Sequence, residues 1–405
     1  MPFRIALSGL NAASTDLEVT GNNIANSATN GFKESRAEFS DVYASAIQDT
    51  SSSSAGQGVR VARVAQQFSQ GTIDFTSNNL DLAISGQGFF VLEAPDGTQA
   101  YTRAGAYSVD RDGFVTNSSG DRLQIFEAVA GVGGATAFNT GALQDFQLPT
   151  MPSAPLPTTS VYEAINLDSS ETVPAVPFSE TDPASYNAST STTVYDSLGN
   201  AHTATLYFRK TANNAWEQHT QIAGTGFTQT LDFDESGALT NPASPLALGP
   251  FPPNTGAADV TVDFDFSGLT QYGSPFAVNN LTQDGYTSGR LAGLDIDAEG
   301  VAFARYTNGQ SSALGKVAMA KFNNQQGLRQ VGDSNWVESF ASGTPQLGEA
   351  GTSSFGQIQS GALEASNVDI AAQLVNLITA QRTFQANAEV ISTADSVTQT
   401  IINIR

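Results

Sequence analysis

Acidic residues at alternating positions are the first feature of this 405-residue sequence that could do chemistry. The run 295–300 (DIDAEG) and the run 232–237 (DFDESG) both begin like a calcium-binding EF-hand loop. Such a loop needs a bidentate glutamate at its twelfth position, where these runs carry Tyr306 and Ala243. Apolar residues alternate with the acids in both runs, so we interpret each run as a strand that enters a turn and expect no metal there.

Two histidines and the absence of cysteine narrow the remaining catalytic options. Without cysteine there is no disulfide framework, thiolate metal site or cysteine nucleophile. Neither His202 nor His219 has a nucleophile-elbow sequence nearby, and we predict that both are exposed strand residues beside aromatic packing. Paired carboxylates for glycoside hydrolysis stay open, because the spacing of 39 acidic residues singles out no pair. We predict a protein that is not an enzyme and needs no cofactor.

Composition limits the partners as well. The formal net charge of -22 repels nucleic acids and anionic membrane surfaces, so we expect neither nucleic-acid binding nor membrane insertion. No stretch approaches the roughly 20 apolar residues of a membrane span. The first residues contain no apolar signal-peptide core, and we expect no cleaved signal peptide. Few charged residues (14%) and 37 glycines suit β-rich domains, and the length suggests two to four of them.

The N-terminal segment predicts an amphipathic helix, which would position the residues around it. Its apolar and small residues recur at alternating spacings of four and three, which predicts a heptad seam. Glycines at positions 9 and 21 weaken the helix, and Asn30-Gly31 is predicted to end it. The predicted seam consists of Phe3, Leu7, Leu10, Ser14, Leu17, Gly21 and Ile24.

The C-terminal segment predicts a longer helix, because residues 362–405 contain neither glycine nor proline. Ser366 is the predicted N-cap, with Asp369 three positions later as in a capping box. The helix would be about 50 Å long, a length typical of a coiled coil. Its predicted seam consists of Ile370, Leu374, Leu377, Gln381, Phe384, Ala388, Ile391, Asp395, Thr398 and Ile402.

Two interpretations of these helices are open. Both could pack on the protein's own core, as a single amphipathic helix usually does. Alternatively, they could stay mobile in the isolated chain and order when neighbouring subunits supply the missing faces. Each seam alone has little apolar surface to offset the entropy of ordering it, so we favour assembly.

Between the helices the sequence predicts β-structure. A strand, an Asp-led turn that closes on glycine, and a second strand recur four times, which predicts four β-hairpins. Their turns close at Gly113, Gly199, Gly237 and Gly300. The fold class is therefore mainly β with long α-helical termini.

Prolines locate the predicted domain boundaries. Twelve of the 16 prolines fall in two clusters, at 149–183 and 242–253, and these clusters bracket a block with 13 acidic but only two basic residues. We predict discontinuous, nested β-domains between N- and C-terminal coiled-coil helices. The predicted division is a terminal helical domain at 1–27 and 366–405, a connecting segment at 28–70 and 355–365, an inner β-domain at 71–146 and 283–354, and an inserted outer β-domain at 147–282.

A long signature follows the first seam. Residues 20–33 (TGNNIANSATNGFK) closely resemble the N-terminal signature of bacterial flagellar rod and hook proteins. The runs 366–369 (SNVD) and 381–384 (QRTF), with Asn387, are similar to the C-terminal helix of the same axial protein family. The length and the inserted block favour the hook type; a distal rod-type protein, which shares the ends but is shorter, is one alternative.

A second alternative comes from a different class, a secreted β-domain glycan-binding protein or enzyme. Such a protein would be expected to expose aromatic residues, whereas the two tryptophans, Trp216 and Trp336, lie in strand-like contexts. It would also leave the matched helical ends unexplained.

The resemblance implies a structural subunit that self-assembles into a curved, flexible tube, a universal joint that transmits motor torque to the filament. Implied partners are copies of itself, the distal rod protein, the hook cap protein, the hook-filament junction protein and the flagellar type III export apparatus. It implies an extracellular location in the flagellar basal body and hook, after export without a cleaved signal peptide. The residues implied for self-assembly are Phe3, Leu7, Leu10, Leu17, Asn22, Asn23, Ile24, Asn26, Thr29, Gly31, Phe32, Asn367, Ile370, Leu374, Leu377, Arg382, Phe384, Asn387, Ile391 and Ile402.

Overall fold

The computed structural model describes residues 2–42, 56–130, 136–352 and 354–403. Helix α1 spans Pro2–Ala25 and helix α2 spans Ile370–Asn403, with strands between them. This confirms the mainly β class with a helix at each end. The chain forms two compact units, one of residues 1–150, 293–304 and 311–405, the other of residues 151–292 and 305–310. The four-part division stays a prediction, and parts of its connecting segment (43–55) and inner β-domain (131–135 and 353) lie outside the described residues.

The described residues form 29 strands and two short 3-10 helices, at Pro183–Ser185 and Gln325–Gly327. The strands are β1 (Ser35–Asp41), β2 (Val59–Gln66), β3 (Ile73–Phe75), β4 (Leu82–Ser85), β5 (Phe89–Glu93), β6 (Gln99–Thr102), β7 (Ser108–Val109), β8 (Val115–Thr116), β9 (Arg122–Ala130), β10 (Thr136–Phe138), β11 (Gln144–Asp145), β12 (Ser160–Asp168), β13 (Ala188–Tyr195), β14 (Ala201–Ala212), β15 (Ala215–Ile222), β16 (Thr225–Phe233), β17 (Leu239–Asn241), β18 (Leu246–Phe251), β19 (Val260–Asp265), β20 (Thr270–Tyr272), β21 (Ala277–Gln283), β22 (Leu291–Ile296), β23 (Val301–Tyr306), β24 (Ser311–Lys321), β25 (Arg329–Gly332), β26 (Asn335–Val337), β27 (Gln346–Glu349), β28 (Gln357–Ser360) and β29 (Ala362–Glu364).

The first unit is built on a 13-stranded sheet whose main path runs β22-β23-β24-β9-β5-β6-β26-β25. Aromatic side chains fill its core, where Phe89 lies edge-on to Phe68, Phe322 and Trp336. Three two-stranded sheets, β1-β2, β28-β4 and β29-β3, complete the unit. Edge-to-face ring pairs fix side-chain orientation beyond simple burial.

The second unit contains two five-stranded sheets. One is the antiparallel meander β13-β14-β15-β16-β17; in the other, β12 pairs with β19 and β20 in parallel and with β21 antiparallel. Alternate residues of β14 are buried, which is the pattern of a strand with one face on a core. The core takes side chains from both sheets, including Trp216, Phe208 and Phe264.

All four predicted hairpins are present, as β7-β8, β13-β14, β16-β17 and β22-β23. The turn glycines have φ between 80° and 87°, a left-handed conformation that favours glycine. In each turn the glycine N–H donates to the carbonyl oxygen of the leading aspartate, at 3.0–3.2 Å. The carboxylates of the aspartates accept turn N–H groups at 2.8–2.9 Å, in the pairs Asp110–Phe114, Asp196–Asn200, Asp234–Ala238 and Asp297–Val301. The acids therefore shape the turns.

The predicted end of the first helix is wrong. Helix α1 ends at Ala25 rather than at Asn30-Gly31. The Asn26 amide donates to the Asn22 carbonyl at 2.9 Å, and the Ser27 hydroxyl donates to the Ile24 carbonyl at 2.8 Å. Short polar side chains that bond to these carbonyls compete with the next helical turn.

The predicted N-cap of the second helix is also wrong. Asp369, rather than Ser366, precedes α2, and its carboxylate accepts the N–H groups of Ala371 and Ala372 at 2.9 and 3.3 Å. The Ser366 hydroxyl instead accepts the N–H of Val368 ahead of the helix, at 3.3 Å. An aspartate at this position satisfies two free N–H groups and places a negative charge at the positive end of the helix dipole.

The predicted exposure of the two histidines is wrong as well. His202 is largely buried, with Nε2 3.1 Å from Oδ2 of Asp196. His219 is buried and stacks on Phe178 with ring centroids 3.8 Å apart. Both residues lie in the meander sheet, where these partners hold them in place.

Candidate assembly surface at the helical ends

Helices α1 and α2 pack against each other through small residues. The buried positions of α1 include Ala6, Ala12 and Ala13, and α2 buries Ala380. A Cβ atom added at Gly9 would lie 2.6 Å from Oδ1 of Asn387. At this position α1 has no side chain, and the Asn387 side chain of α2 occupies the space beside it.

The buried stripe of α2 is offset from the predicted seam. Its buried and half-buried residues are Gln373, Leu377, Ala380, Phe384, Asn387, Ala388, Ile391 and Ala394, which apart from Ala388 recur at spacings of four and three. The predicted seam members Leu377, Phe384, Ala388 and Ile391 are among them, as is Asn387. The exposed residues are the predicted seam members Ile370, Leu374, Gln381, Asp395, Thr398 and Ile402, together with Arg382.

On α1 the predicted seam is covered only in part. Leu10, Leu17 and Ile24 are half-buried, whereas Phe3 and Leu7 are exposed. The helices thus place a second set of apolar side chains on the outside. Its members are Phe3, Ile5, Leu7, Ile370, Leu374, Val375, Ile378, Val390, Val397 and Ile402. These exposed apolar side chains make the two helices the candidate interaction site.

Two apolar grooves accompany these side chains. A groove of about 540 Å³ lies between α1, α2 and the β1-β2 hairpin, and its lining includes Ile5, Ala13, Phe39 and Val59. A second groove, of about 690 Å³, is lined by Phe3 and by α2 residues 386–398. An apolar side chain that protrudes from one copy can pack into a groove of this kind on another copy.

The N-terminal signature forms the junction between the helices and the β-structure. The buried Asn23 amide donates to the Ser35 carbonyl at 2.7 Å and to Oε1 of Gln373 at 3.3 Å, and its Oδ1 accepts the Ser35 N–H at 2.9 Å. One side chain thus joins α1, β1 and α2. Asn22, Asn26 and Thr29 form a more exposed hydrogen-bonded turn beside it.

The end of the signature packs into the first unit. The Gly31 N–H donates to the Glu364 carbonyl at 2.8 Å, and a Cβ at Gly31 would lie 2.3 Å from the backbone N of Ala104. Phe32 is buried. Asn367 accepts the Glu34 N–H at 2.7 Å and donates to the Gln67 carbonyl at 2.8 Å. The signature and the residues before α2 therefore hold each other.

A buried charge cluster completes this junction, and sequence reasoning missed it. Glu364 Oε1 lies 2.6 Å from Lys33 Nζ, and its Oε2 lies 3.2 Å from Arg103 Nη1, with all three side chains almost fully buried. The Gly71 N–H also donates to Oε1 at 2.9 Å. Burial lowers the pKa of Lys33 and of Arg103, and the Glu364 charge opposes both shifts. The one signal for this cluster in the sequence was Lys33, the last residue of the signature.

Other kinds of site find little support in the structure. Among the residues that the structure describes, no cluster of three or more histidines or acids could hold a metal ion. None of the helices over the described ranges is both long and apolar enough to cross a membrane.

Relatives over the whole length of the chain decide the family. The chain is 40% identical to the flagellar hook protein FlgE of Escherichia coli, and the alignment covers all of both chains. It belongs to the flagellar hook protein family. Hook proteins of Rhizobium meliloti and Borreliella burgdorferi are 34% and 33% identical to it, each covering at least 98% of both chains.

Family models match successive parts of this hook-family chain. Residues 3–33 match the flagella basal body rod protein, and residues 359–404 match the flagellar basal body rod FlgEFG protein C-terminal. Between them, residues 83–168 match the flagellar hook protein FlgE/F/G D1 domain, and residues 166–286 match the flagellar basal body protein FlaE D2 domain. The matches at both ends include the helices and the signature.

The fold has a counterpart among solved structures. The crystal structure of Helicobacter pylori flagellar hook protein FlgE2 superposes with a TM-score of 0.53 at 14% sequence identity. It covers 72% of this chain and all of that one. The likeness is one of fold.

Proposed function

We propose that this chain is the structural subunit that self-assembles into the flagellar hook, with contacts between its helical ends forming the inner tube. The single observation that carries the mechanism is the apolar set left outside after α1 and α2 have packed together. Covering that set against neighbouring copies removes apolar area from water and so favours the polymer.

The helices and the β-domains suit the two requirements of a universal joint, which are resistance to twisting and ease of bending. Closely packed helices resist twisting, while β-domains with polar surfaces exchange contacts with neighbours at little cost. Torque from the motor then passes through the helices as the outer surfaces slide. Within the first unit, the buried cluster at the junction holds the helices to the strands, so load on the helices reaches the β-structure through charged and hydrogen-bonded contacts.

The proposal extends to partners and location. The subunit would be exported by the flagellar type III apparatus without a cleaved signal peptide and would lie outside the cell. The distal rod protein would start the tube, a hook cap protein would cover its growing end, and the hook-filament junction protein would follow it. Family membership supports these partners.

Polar substitutions on the outer face of α2 test the proposal. Leu374→Gln with Ile378→Gln keeps good helix formers at two exposed positions and removes the apolar contacts. Purified chains are concentrated, polymer is separated by sedimentation and its shape is seen by negative-stain electron microscopy. We expect tubes from the natural sequence and monomers from the double variant.

Val173→Gln is the matched control, because Val173 is 49% exposed and Leu374 is 48% exposed. This variant should form tubes like the natural sequence, and circular dichroism should be unchanged in all chains. Tubes from the double variant at the ordinary concentration, or from a chain that lacks residues 366–405, would contradict the proposal.

A further inference from the structure

An uncharged patch lies in the first unit, away from the helices in sequence. It consists of residues 322–328 and 339–348, which contain no Asp, Glu, Lys or Arg in a chain of net charge -22. The two segments are held together by the Asn324 amide, which donates to the Ala341 carbonyl at 2.8 Å. Phe340 in the second segment is fully exposed, and Leu347 is exposed as well.

A rigid turn presents Phe340. The Ser342 N–H donates to the Ser339 carbonyl at 3.1 Å and closes the turn around it. The Ser339 N–H donates to the Ser342 hydroxyl at 2.8 Å, and the Ala341 N–H donates to the Ser339 hydroxyl at 3.1 Å. Gly327 lies directly beneath, where a Cβ would meet the backbone N of Ser342 at 2.4 Å. The aromatic side chain is thus held outward by backbone that has little freedom to fold it back.

The composition of the patch resembles the centre of a protein interface. Interfaces combine an aromatic anchor with a polar rim and are depleted in charged residues. The rim here is amide-rich, with Asn323, Asn324 and Gln326 exposed. The residues that flank the two segments are two cations, Lys321 and Arg329, and two anions, Glu338 and Glu349, so this region has no net charge in a chain of net charge -22. Two acidic copies repel each other, so a contact between copies favours a region without net negative charge.

We propose that Phe340, with the uncharged patch around it, docks on a second copy of this chain. This inference rests on the proposed function, because a tube is made of copies. A repeating, non-closing assembly uses contacts in which a patch meets a different surface of the next copy. Phe340 is then an anchor that enters a recess on its neighbour and is repeated once per subunit.

Phe340→Ser tests the docking contact, with Val331→Ser as the matched control. Val331 is 52% exposed in β25, outside the patch, so both variants remove one exposed apolar side chain from the same unit. We measure the critical concentration for tube formation by sedimentation. Phe340→Ser removes a buried phenylalanine from every contact, so we expect it to raise the critical concentration at least tenfold. Val331→Ser should raise the critical concentration less than twofold.

Hydroxyl-radical footprinting gives an independent readout. Phe340 of the natural sequence should be oxidised in monomers and protected in tubes, while Val331 reacts equally in both. Unchanged critical concentration with unprotected Phe340 would overturn the docking contact and leave the helical mechanism standing. A natural sequence that forms no tubes would instead overturn both proposals.

Discussion

Glu364 shows how much of this architecture depends on one carboxylate. Its single negative charge faces both Lys33 and Arg103 in a site that water does not reach. Removing one partner of a buried pair leaves an uncompensated charge, which costs about 3–5 kcal/mol. We therefore expect Glu364→Gln to lower the free energy of unfolding of the first unit by about that amount, measured by urea denaturation.

Glu38→Gln is the control for that change. Glu38 pairs with Arg36 and Arg63, whose side chains are mostly exposed, and exposed pairs contribute little. Its denaturation midpoint should stay close to that of the natural sequence. Equal midpoints for the two variants would show that burial of the Glu364 cluster does not matter.

Glu163 is a buried carboxyl group of the second unit that should make the stability of that unit depend on pH. It is fully buried, accepts a hydrogen bond from the Gln218 amide at 3.0 Å, and forms no salt bridge among the described residues. Its Oε2 and the Gln218 Oε1 have no hydrogen-bond partner in the described parts of the chain. Burial raises the pKa of Glu163 to about 8, and the Gln218 hydrogen bond opposes this shift.

The sign of the resulting pH effect follows from proton binding. Between the ordinary pKa of 4.5 and a folded value of about 8, the folded chain holds a proton that the unfolded chain has released. Stability from this group is therefore complete below pH 4.5 and is lost as the pH rises through 8. Glu163→Gln removes the effect, so we expect its stability relative to the natural sequence to rise by a few kcal/mol between pH 4.5 and 9. A difference independent of pH, measured by urea denaturation, would contradict this assignment.

At the scale of elements, the helix pair depends on a glycine. A Cβ at Gly9 would lie 2.6 Å from Oδ1 of Asn387, so the Asn387 side chain would have to move, whereas nothing lies within 4 Å of a Cβ at Gly21. Gly9→Val and Gly21→Val change helix propensity alike, so their difference measures the contact between helices. We expect Gly9→Val to lower the thermal midpoint of the helical signal in circular dichroism and Gly21→Val to leave it nearly unchanged. Equal midpoints would mean that the helices do not need this close approach.

Elements with a local cause were predictable from the sequence. The hairpin turns need an aspartate and a left-handed glycine a few residues apart, and all four were found. The end of α1 was missed, because several short polar side chains lie near it and the sequence does not tell which of them, such as Asn26 and Ser27, bond to the last carbonyls. The buried stripe of α2 was offset, because periodicity favours large residues whereas close packing selects Ala380 and Asn387.

At the scale of the whole molecule, paired signatures at both ends predicted the family, but not the contacts between distant segments. The Lys33–Glu364 pair joins positions 331 residues apart, and the Arg103–Glu364 pair joins positions 261 residues apart. Nothing local in the sequence relates such positions. The exposure of Phe340 was equally hidden, because it depends on a turn held by the segment that contains Gly327.

Because these charges lie far apart along the chain, the junction cannot form until the chain has been made as far as Glu364. Lys33 and Arg103 are made long before Glu364, so a chain that stops early keeps two cations and lacks the carboxylate that pairs with both. Such a fragment also lacks the Glu364 carbonyl that accepts the Gly31 N–H. The junction therefore couples the position of the first helix to the segment that precedes the last one.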